Sequence, residues 1–304
     1  MELRYLRYFV AVASARHFTR AAETLGISQP PLSQQIQKLE QEIGTPLLRR
    51  LTRGVELTNA GKVFYEDACH ILTLTDEAIK RAKSIARGET GKLRVGFASS
   101  TAFQPIVLQL LHAYRDKYPE VILSPSEETM PVLMNDLHNG HIDVAFIRQP
   151  CDASNDFTCK VLVEEDMLLV LPHNHPLHRL PKINLQTLQH EKLIIFPREV
   201  GPGLYDAIIT ACYRAGFQPE LGQQSPQMVS AIGMVSAIGM VSAGFGFTLV
   251  PRSLTTIQAN NVTYHEIDDS LLKTKITLAW RRHEHSAAVL NMVNIMTRKK
   301  LSAG

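Results

Sequence analysis

Residues 18–36 read FTRAAETLGISQPPLSQQI, and this stretch decides how the first part of the chain folds. The pattern predicts two short helices, with Gly26 between them as a turn residue that tolerates a positive φ angle. Pro30 and Pro31 follow Ser28 in the first turn of the second helix, where backbone N–H groups have no intrahelical partner. Two helices joined by so tight a turn predict a helix-turn-helix.

The second of these helices divides into a buried and an outward face. If its regularly spaced Leu and Ile side chains are buried, Gln, Pro and Lys point outward. A Gln amide can bond adenine at two atoms in the major groove, and a proline ring can contact a thymine methyl group. Ser28 precedes two prolines that lack the amides it would cap, so its hydroxyl is free for a phosphate. The predicted DNA contacts of this helix are Ser28, Gln29, Pro30, Pro31, Ser33, Gln34, Gln37 and Lys38. A solvated polar face is the alternative interpretation.

A hairpin follows the helix-turn-helix. Residues 49–58 alternate around Thr52-Arg53-Gly54, which predicts two strands and a tight turn. Arg49, Arg50 and Arg53 flank or occupy the tip, where they could reach the minor groove or the phosphates. A solvated charged turn is the alternative.

Positive charge is concentrated at the front of the chain. Residues 1–65 hold nine Lys/Arg and five Asp/Glu, a net +4, whereas the remaining 239 hold 23 and 24, a net −1. This excess lies where phosphate contacts would be useful, although a chance fluctuation of surface charge could produce it.

A long helix is predicted after the hairpin. Thr58 suits its N-cap, and nothing breaks the pattern between Gly61 and Gly88. Seven small or apolar residues alternate steps of four and three, as in a helix that pairs with a partner: Phe64, Ala68, Ile71, Thr75, Ala78, Ala82 and Ile85. We expect a dimer through this helix; the alternative is a lone amphipathic helix lying on its own domain.

The rest of the chain alternates between strand and helix patterns. Strands are predicted at 93–97, 121–124, 142–147, 167–171, 193–196, 247–250 and 276–280, and helices at 103–118, 132–139, 204–215, 228–243 and 287–299. The alternation predicts two α/β lobes on a mostly parallel sheet, with a ligand in the cleft between them. The expected domains are a DNA-binding domain at 1–58, a linker helix at 59–90, a first effector lobe at 91–161 and 267–304, and a second at 162–266.

A hexamer repeat interrupts this pattern. Residues 228–233 and 234–239 both read MVSAIG, and 240–244 begin a third copy. Six residues turn a helix by about 600°, so an added copy cannot keep the same face inward. The extra copy must be looped out, or the helix must be extended or shifted in register.

Other classes of protein find little support. No run reaches the roughly 18 apolar residues of a membrane span, and residues 1–4 lead into no secretion signal, so a cytoplasmic protein is expected and a secreted solute-binding protein is not. The nucleophile motif Gly-x-Ser-x-Gly of many hydrolases is absent, and we expect no enzyme activity. A metal site at His173, His175 and His178 and a redox pair of Cys151 and Cys159 are weaker alternatives.

The N-terminal motifs resemble the LysR-type transcriptional regulators. The shared segments are LRYF at 6–9, FTRAA at 18–22, SQPPLS at 28–33, LEQEIGTPL at 39–47 and LTNAG at 57–61, with HPL at 175–177, AGFG at 243–246 and LVP at 249–251 in the remainder. The resemblance implies a winged helix-turn-helix, a long linker helix that forms a dimer, and a two-lobed effector domain like periplasmic binding proteins. It also implies a homotetramer on double-stranded promoter DNA, working with RNA polymerase. Many members carry Arg in place of Gln34 and one copy fewer of the hexamer.

The same resemblance places a small-molecule effector between the two lobes. The implied site residues are Ser99, Ser100, Thr101, Thr129, Arg148, Phe196, Pro197, Gly201 and Gly203. Hydroxyls, amides at a helix N-terminus and one Arg suit a small carboxylate. Ordinary helix capping by residues 99–101 and a surface ion pair of Arg148 are the alternatives.

The stretch at 196–205, FPREVGPGLY, is similar to activators of acetoin and butanediol operons, which respond to acetate, and regulators of aromatic catabolism have a related layout. We therefore expect an activator controlled by acetate or by an aromatic or dicarboxylic acid, with no other cofactor and no metal.

Overall fold

The computed structural model describes residues 1–52, 54–149, 156–222, 232–256, 259 and 261–298. The chain divides into two compact units, Met1–Ser84 and Ile85–Gly304, and each is described by itself.

The first unit is a winged helix-turn-helix. Its elements are α1 (Leu3–Ala15), α2 (Phe18–Leu25), α3 (Gln29–Ile43), β1 (Leu48–Leu51), β2 (Gly54–Leu57) and most of α4 (Asn59–Ala86). Phe9, Val12, Leu32, Ile36 and Leu39 are buried in its core. The three predicted helices, the hairpin and the long helix that follows are confirmed.

The ends of these helices follow from single residues. Gly26 has φ +65° and ends α2, and its N–H donates to the carbonyls of Ala22 and Glu23, as the turn prediction requires. Thr58 caps α4, because its Oγ1 accepts from the N–H of Gly61 at 2.9 Å. Packing requires glycine at position 61, because a Cβ there would lie 1.9 Å from the backbone oxygen of Leu47, the residue before β1.

The second unit holds most of the sheet. Its strands are β3 (Thr90–Ala98), β4 (Glu120–Glu128), β5 (Val144–Gln149), β6 (Phe157–Pro172), β7 (Lys182–Ile183), β8 (Lys192–Leu193), β9 (Glu220–Leu221), β10 (Thr248–Pro251), β11 (Val262–Ile267) and β12 (Lys273–Arg281). Its helices are α5 (Pro105–Lys117), α6 (Met130–His138), α7 (Pro202–Arg214), α8 (Ile232–Ser242) and α9 (Ala287–Arg298).

The main sheet runs in the order β4-β3-β5-β12-β6-β11-β7, with β10 also paired to β6. Only the edge β4-β3-β5 and the β11-β7 pair are parallel, because β12 inserts antiparallel between β5 and β6. The prediction of a mostly parallel sheet was therefore wrong, since a late strand returns to the middle of the sheet.

β6 joins the two lobes. Its first part pairs with β12, and its last part, from Met167, pairs with β10 and β11. The first lobe packs α5 and α9 on one face of the sheet and α6 on the other, whereas α7 and α8 enclose a separate core. The predicted lobe boundary at 161/162 falls inside this one strand, and the domain boundaries stay a prediction.

Three predicted elements differ in extent. The helix expected at 103–118 is preceded by a 3₁₀ turn, Ser99–Phe103, and α5 begins at Pro105 because Gln104 before it is held in an extended conformation. The strand expected at 193–196 is limited to β8, since Ile194 instead donates to the carbonyl of Phe247. Of the helix expected at 228–243, residues 232–242 form α8, and 228–231 lie outside the described residues.

Among the helices that the structure describes, none combines the length and apolar composition that crossing a bilayer requires.

Candidate DNA interface and effector site

The outward face of α3 is polar. Leu32, Ile36 and Leu39 face the core, and the predicted contacts lie opposite them. Six of the predicted contacts are exposed and two are half-buried. The exposed ones are Ser28, Pro30, Pro31, Gln34, Gln37 and Lys38, and the half-buried ones are Gln29 and Ser33. Ser28 is the N-cap of α3 and makes no side-chain capping bond, as expected where prolines follow. The face can therefore offer amide and hydroxyl groups to a base edge or a phosphate.

Arg50 connects the wing, which is the hairpin of β1 and β2, to the helix-turn-helix. Its Nη2 donates to Ser33 Oγ at 2.8 Å, and its guanidinium carbon lies 5.1 Å from the centre of the Phe18 ring. The neighbouring Arg49 is paired with Glu56 across the hairpin. Arg53, the predicted tip contact, lies outside the described residues. Sequence reasoning missed the link to Ser33 because the two residues belong to different elements.

The effector candidates around Arg148 lie in the interior. Arg148 is 5% exposed, and its Nη1 donates to Glu165 Oε1 at 2.7 Å. The alternative of a surface ion pair is therefore wrong, because both partners are buried. Burial lowers the pKa of the Arg148 guanidinium, and the charge of Glu165 opposes that shift. Ser253 holds the other side of Glu165 through its backbone N–H, at 2.8 Å.

Several buried polar atoms of this region lack a protein partner among the described residues. They are Arg148 Nε and Nη2, Ser100 Oγ and Thr277 Oγ1. Thr101 Oγ1 instead donates to the carbonyl of Phe146, at 3.3 Å. Unsatisfied buried donors are costly, so a guanidinium with two open nitrogens favours an oxygen-rich ligand. Sequence reasoning missed Glu165 and Ser253, which have no motif of their own.

The residues predicted from the other side of the cleft surround the start of α7. Phe196 is buried with its ring 6.3 Å from that of Tyr205, edge to face, and Pro197, Gly201 and Gly203 are half-buried. Thr129, also half-buried, is the N-cap of α6 and makes no side-chain capping bond. The turn Arg198–Val200 contacts α6, and α7 packs against β5, so the fold brings both sides of the predicted site together.

The 99–101 segment differs from its prediction in one respect. Ser99 opens a short 3₁₀ turn rather than the α-helix expected there, and α5 begins only six residues later. The N-cap of this turn is Ala98 and that of α5 is Gln104, and neither makes a side-chain capping bond, so ordinary helix capping by residues 99–101 gains no support.

The metal and redox alternatives gain no support from geometry. His175 bonds Glu191 through Nε2 at 2.8 Å and the N–H of Leu177 through Nδ1 at 3.1 Å, so both ring nitrogens are engaged. No metal-binding cluster is found in the part of the chain that the structure describes. Cys151 lies outside that part, and burial raises the pKa of the Cys159 thiol, contrary to what a reactive thiolate requires.

A winged helix-turn-helix with an outward polar helix, followed by a two-lobed unit with open buried donors, defines the class of ligand-responsive DNA-binding regulators. The model of the bacterial regulatory helix-turn-helix protein, lysR family, matches residues 3–62, and that of the LysR substrate binding domain matches residues 86–300. The chain belongs to the LysR family of transcriptional regulators. The predicted fold class and the prediction of a regulator rather than an enzyme are confirmed.

Individual relatives cover almost the whole chain. It is 52% identical over 289 residues to the HTH-type transcriptional regulator BudR of Raoultella terrigena, covering 95% of this chain and 98% of that protein. It is 35% identical over 295 residues to the HTH-type transcriptional regulator AlsR of Bacillus subtilis (97% and 95% covered). The crystal structure of full-length CbnR with its target DNA is similar at TM-score 0.82 and 28% identity, covering 98% of this chain and 99% of that one.

Proposed function

We propose that this LysR-family regulator activates transcription from a promoter that it reads with α3, in response to a small carboxylate bound between its two lobes. It would act in the cytoplasm, where promoter DNA and RNA polymerase are found. The observation that carries the effector part is the buried Arg148, whose Nε and Nη2 are open beside other unsatisfied donors.

The charge of the site favours a carboxylate. Glu165 already compensates one edge of the Arg148 guanidinium, and Ser253 holds that carboxylate in place. The remaining guanidinium edge matches the bidentate geometry of a carboxylate group. Acetate is the first candidate because residues 196–205 resemble activators of acetoin and butanediol operons; benzoate and a dicarboxylate are the next.

Calorimetric titration of the full chain with acetate, benzoate and succinate tests this proposal. Ser100→Ala removes a buried hydroxyl that has no protein partner, so the fold is kept while an effector bond is lost. We expect the affinity to fall by about 5-fold, the effect of one hydrogen bond of roughly 1 kcal/mol. Ser126→Ala, on the exposed side of β4, is the matched control. Absence of heat with all three acids at millimolar concentration contradicts the proposal.

We also propose that α4 pairs with the α4 of a second chain and that two dimers form a tetramer. Beyond the residues that pack into the first unit, α4 exposes Ile71, Leu74, Ile79 and Ile85, which are unusual on a solvated helix. Light scattering after gel filtration should give the mass of four chains of 34.0 kDa. Ile71→Asp should reduce that mass, and a monomeric wild-type protein contradicts the proposal.

A further inference from the structure

A groove of about 480 Å³ lies beside the outward polar face of α3, which we call the recognition face, and is not part of it. It opens between the turn that joins α1 to α2 and the tip of the wing. Its lining consists of Ala15, Arg16, His17, Arg20, Thr52 and Gly54. Among the described residues, no acidic side chain lines it, and none of the six belongs to the contacts predicted from sequence.

Arg16 occupies a backbone position that favours glycine or asparagine. It ends α1 with φ +51°, one of two non-glycine residues with positive φ in the part of the chain described. Such a conformation is disfavoured for any residue with a Cβ. Its carbonyl accepts from the N–H of Val55 at 3.0 Å, which anchors the wing, and its side chain is exposed. The backbone therefore gives no reason for an arginine here, whereas the groove does.

The cations of this groove are uncompensated. Several exposed arginines pair with a carboxylate, as Arg49 does with Glu56 and Arg198 with Asp206. Within the described ranges, neither Arg16 nor Arg20 forms an ion pair. His17 Nδ1 accepts from the N–H of Thr19 at 3.2 Å, so its Nε2 carries the proton and is a third donor. The three donors together can bind an anion.

The position of the groove identifies the anion. The Arg50 side chain ties the wing to Ser33 of α3 and to Phe18 of α2, so the groove and the recognition face belong to one rigid surface. In winged helix-turn-helix proteins, α3 enters the major groove and the wing reaches the minor groove. A sugar-phosphate strand separates those two grooves, and it must pass between α3 and the wing tip.

We propose that Arg16, His17 and Arg20 form a phosphodiester clamp for this strand. The clamp rests on the DNA-binding function of the family but adds a contact that does not depend on base sequence. It would fix the register of the protein on the duplex, while the glutamines of α3 read the bases.

The test is the salt dependence of duplex binding by the full chain. Fluorescence anisotropy with a labelled duplex of random sequence gives the slope of log affinity against log salt concentration. In the variant Arg16→Asn/Arg20→Gln, asparagine suits the left-handed backbone, so stability should be kept or raised. We expect the slope to become shallower by about 1 to 2 and the affinity at low salt to fall by about 10-fold. The control Arg4→Gln/Arg198→Gln removes the same charge at two exposed arginines that pair with carboxylates, and its slope should stay near wild type.

The outcomes are separable. If the wild type shows a normal salt-dependence slope and the clamp variant shows the same slope, the clamp alone is overturned. The clamp is also overturned if the control variant loses as much slope as the clamp variant. Wild-type protein that does not bind duplex overturns the DNA-binding function itself. If inorganic phosphate stabilises the wild type against heat while the clamp variant binds duplex normally, the groove holds a free anion and the clamp is overturned.

Discussion

Helices α3 and α8 differ in how clearly their sequences show which side faces the core. In α3 the apolar residues that are buried form one stripe, and the opposite side is glutamine, lysine and proline. In α8 there is no charged residue at all, and Ala237, Ile238 and Val241 are buried while half-buried apolar residues surround them. When a helix has one polar face, its sequence predicts which side is exposed. When it is apolar on all sides, its sequence does not.

The hexamer repeat makes this difference larger. Because the two copies are identical, composition cannot decide which of them faces the core. The described part of α8 places Ala237 and Ile238 of the second copy in the core of the second lobe.

The largest effect should come from the buried stripe of α3. Leu39 is fully buried, and Leu39→Ala removes apolar contacts and leaves a cavity. We expect the free energy of unfolding of the first unit to fall by about 2–5 kcal/mol. Gln41→Ala, on the exposed side of the same helix, should change it by less than about 0.5 kcal/mol. Urea unfolding followed by circular dichroism compares them, and equal losses would contradict the assigned faces.

Removing one copy of the repeat should cost less than damaging the copy in the core. Deletion of residues 230–235 leaves one intact MVSAIG, which can supply the same buried residues. We expect a smaller loss of stability than in Ile238→Ala, for which about 2–5 kcal/mol is typical. Thermal unfolding measures both. We also expect an altered effector response with unchanged duplex affinity; a larger loss in the deletion than in Ile238→Ala would contradict the assignment of copies.

Two helix N-caps give a smaller, matched contrast. Thr58 Oγ1 caps α4 and also donates to the carbonyl of Pro46, whereas Ser28 caps nothing. Thr58→Ala should therefore lower the free energy of unfolding by about 1 kcal/mol, and Ser28→Ala by close to zero. Ser28→Ala should instead weaken DNA binding through the lost phosphate contact. Denaturant titration measures the stability of both variants, and fluorescence anisotropy measures their DNA affinity. A loss of stability in Ser28→Ala would contradict a hydroxyl that caps nothing.

The smallest effect concerns the exposed side of α8. Gly239 lies inside the helix, is exposed, and has no atom within 4 Å of where a Cβ would be. Gly239→Ala should raise the free energy of unfolding by about 0.5–1 kcal/mol, because alanine restricts the unfolded chain and favours helix. Differential scanning calorimetry checks the sign. Destabilisation would mean that this side of α8 is covered.

The sequence predicted the first unit more fully than the second for a physical reason. Gly26, Thr58 and the stripe of α3 act through neighbours a few residues away, so local spacing contains their information. The antiparallel insertion of β12 depends on pairing between β12 and β5, more than a hundred residues apart along the chain. Local patterns do not encode that order.

The candidate sites divide in the same way. The outward residues of α3 followed from helical periodicity, whereas the partner of Arg148 could not be found that way. Glu165 reaches Arg148 from a neighbouring part of the sheet, and Ser253 reaches Glu165 from 88 residues further along the chain. The groove at Arg16 forms because the wing packs on the α1–α2 turn. That packing cannot be predicted from the spacing of residues in the sequence.

We propose that the polar face of α3 reads the promoter. Genome-wide footprinting of the wild type and of Gln34→Ala/Gln37→Ala tests it most directly, because both side chains are exposed and their loss leaves the core intact. We predict that the double variant loses most wild-type sites while it still binds random duplex with a normal salt dependence, since base contacts specify and phosphate contacts do not. Occupation of the same sites by both proteins would contradict the claim.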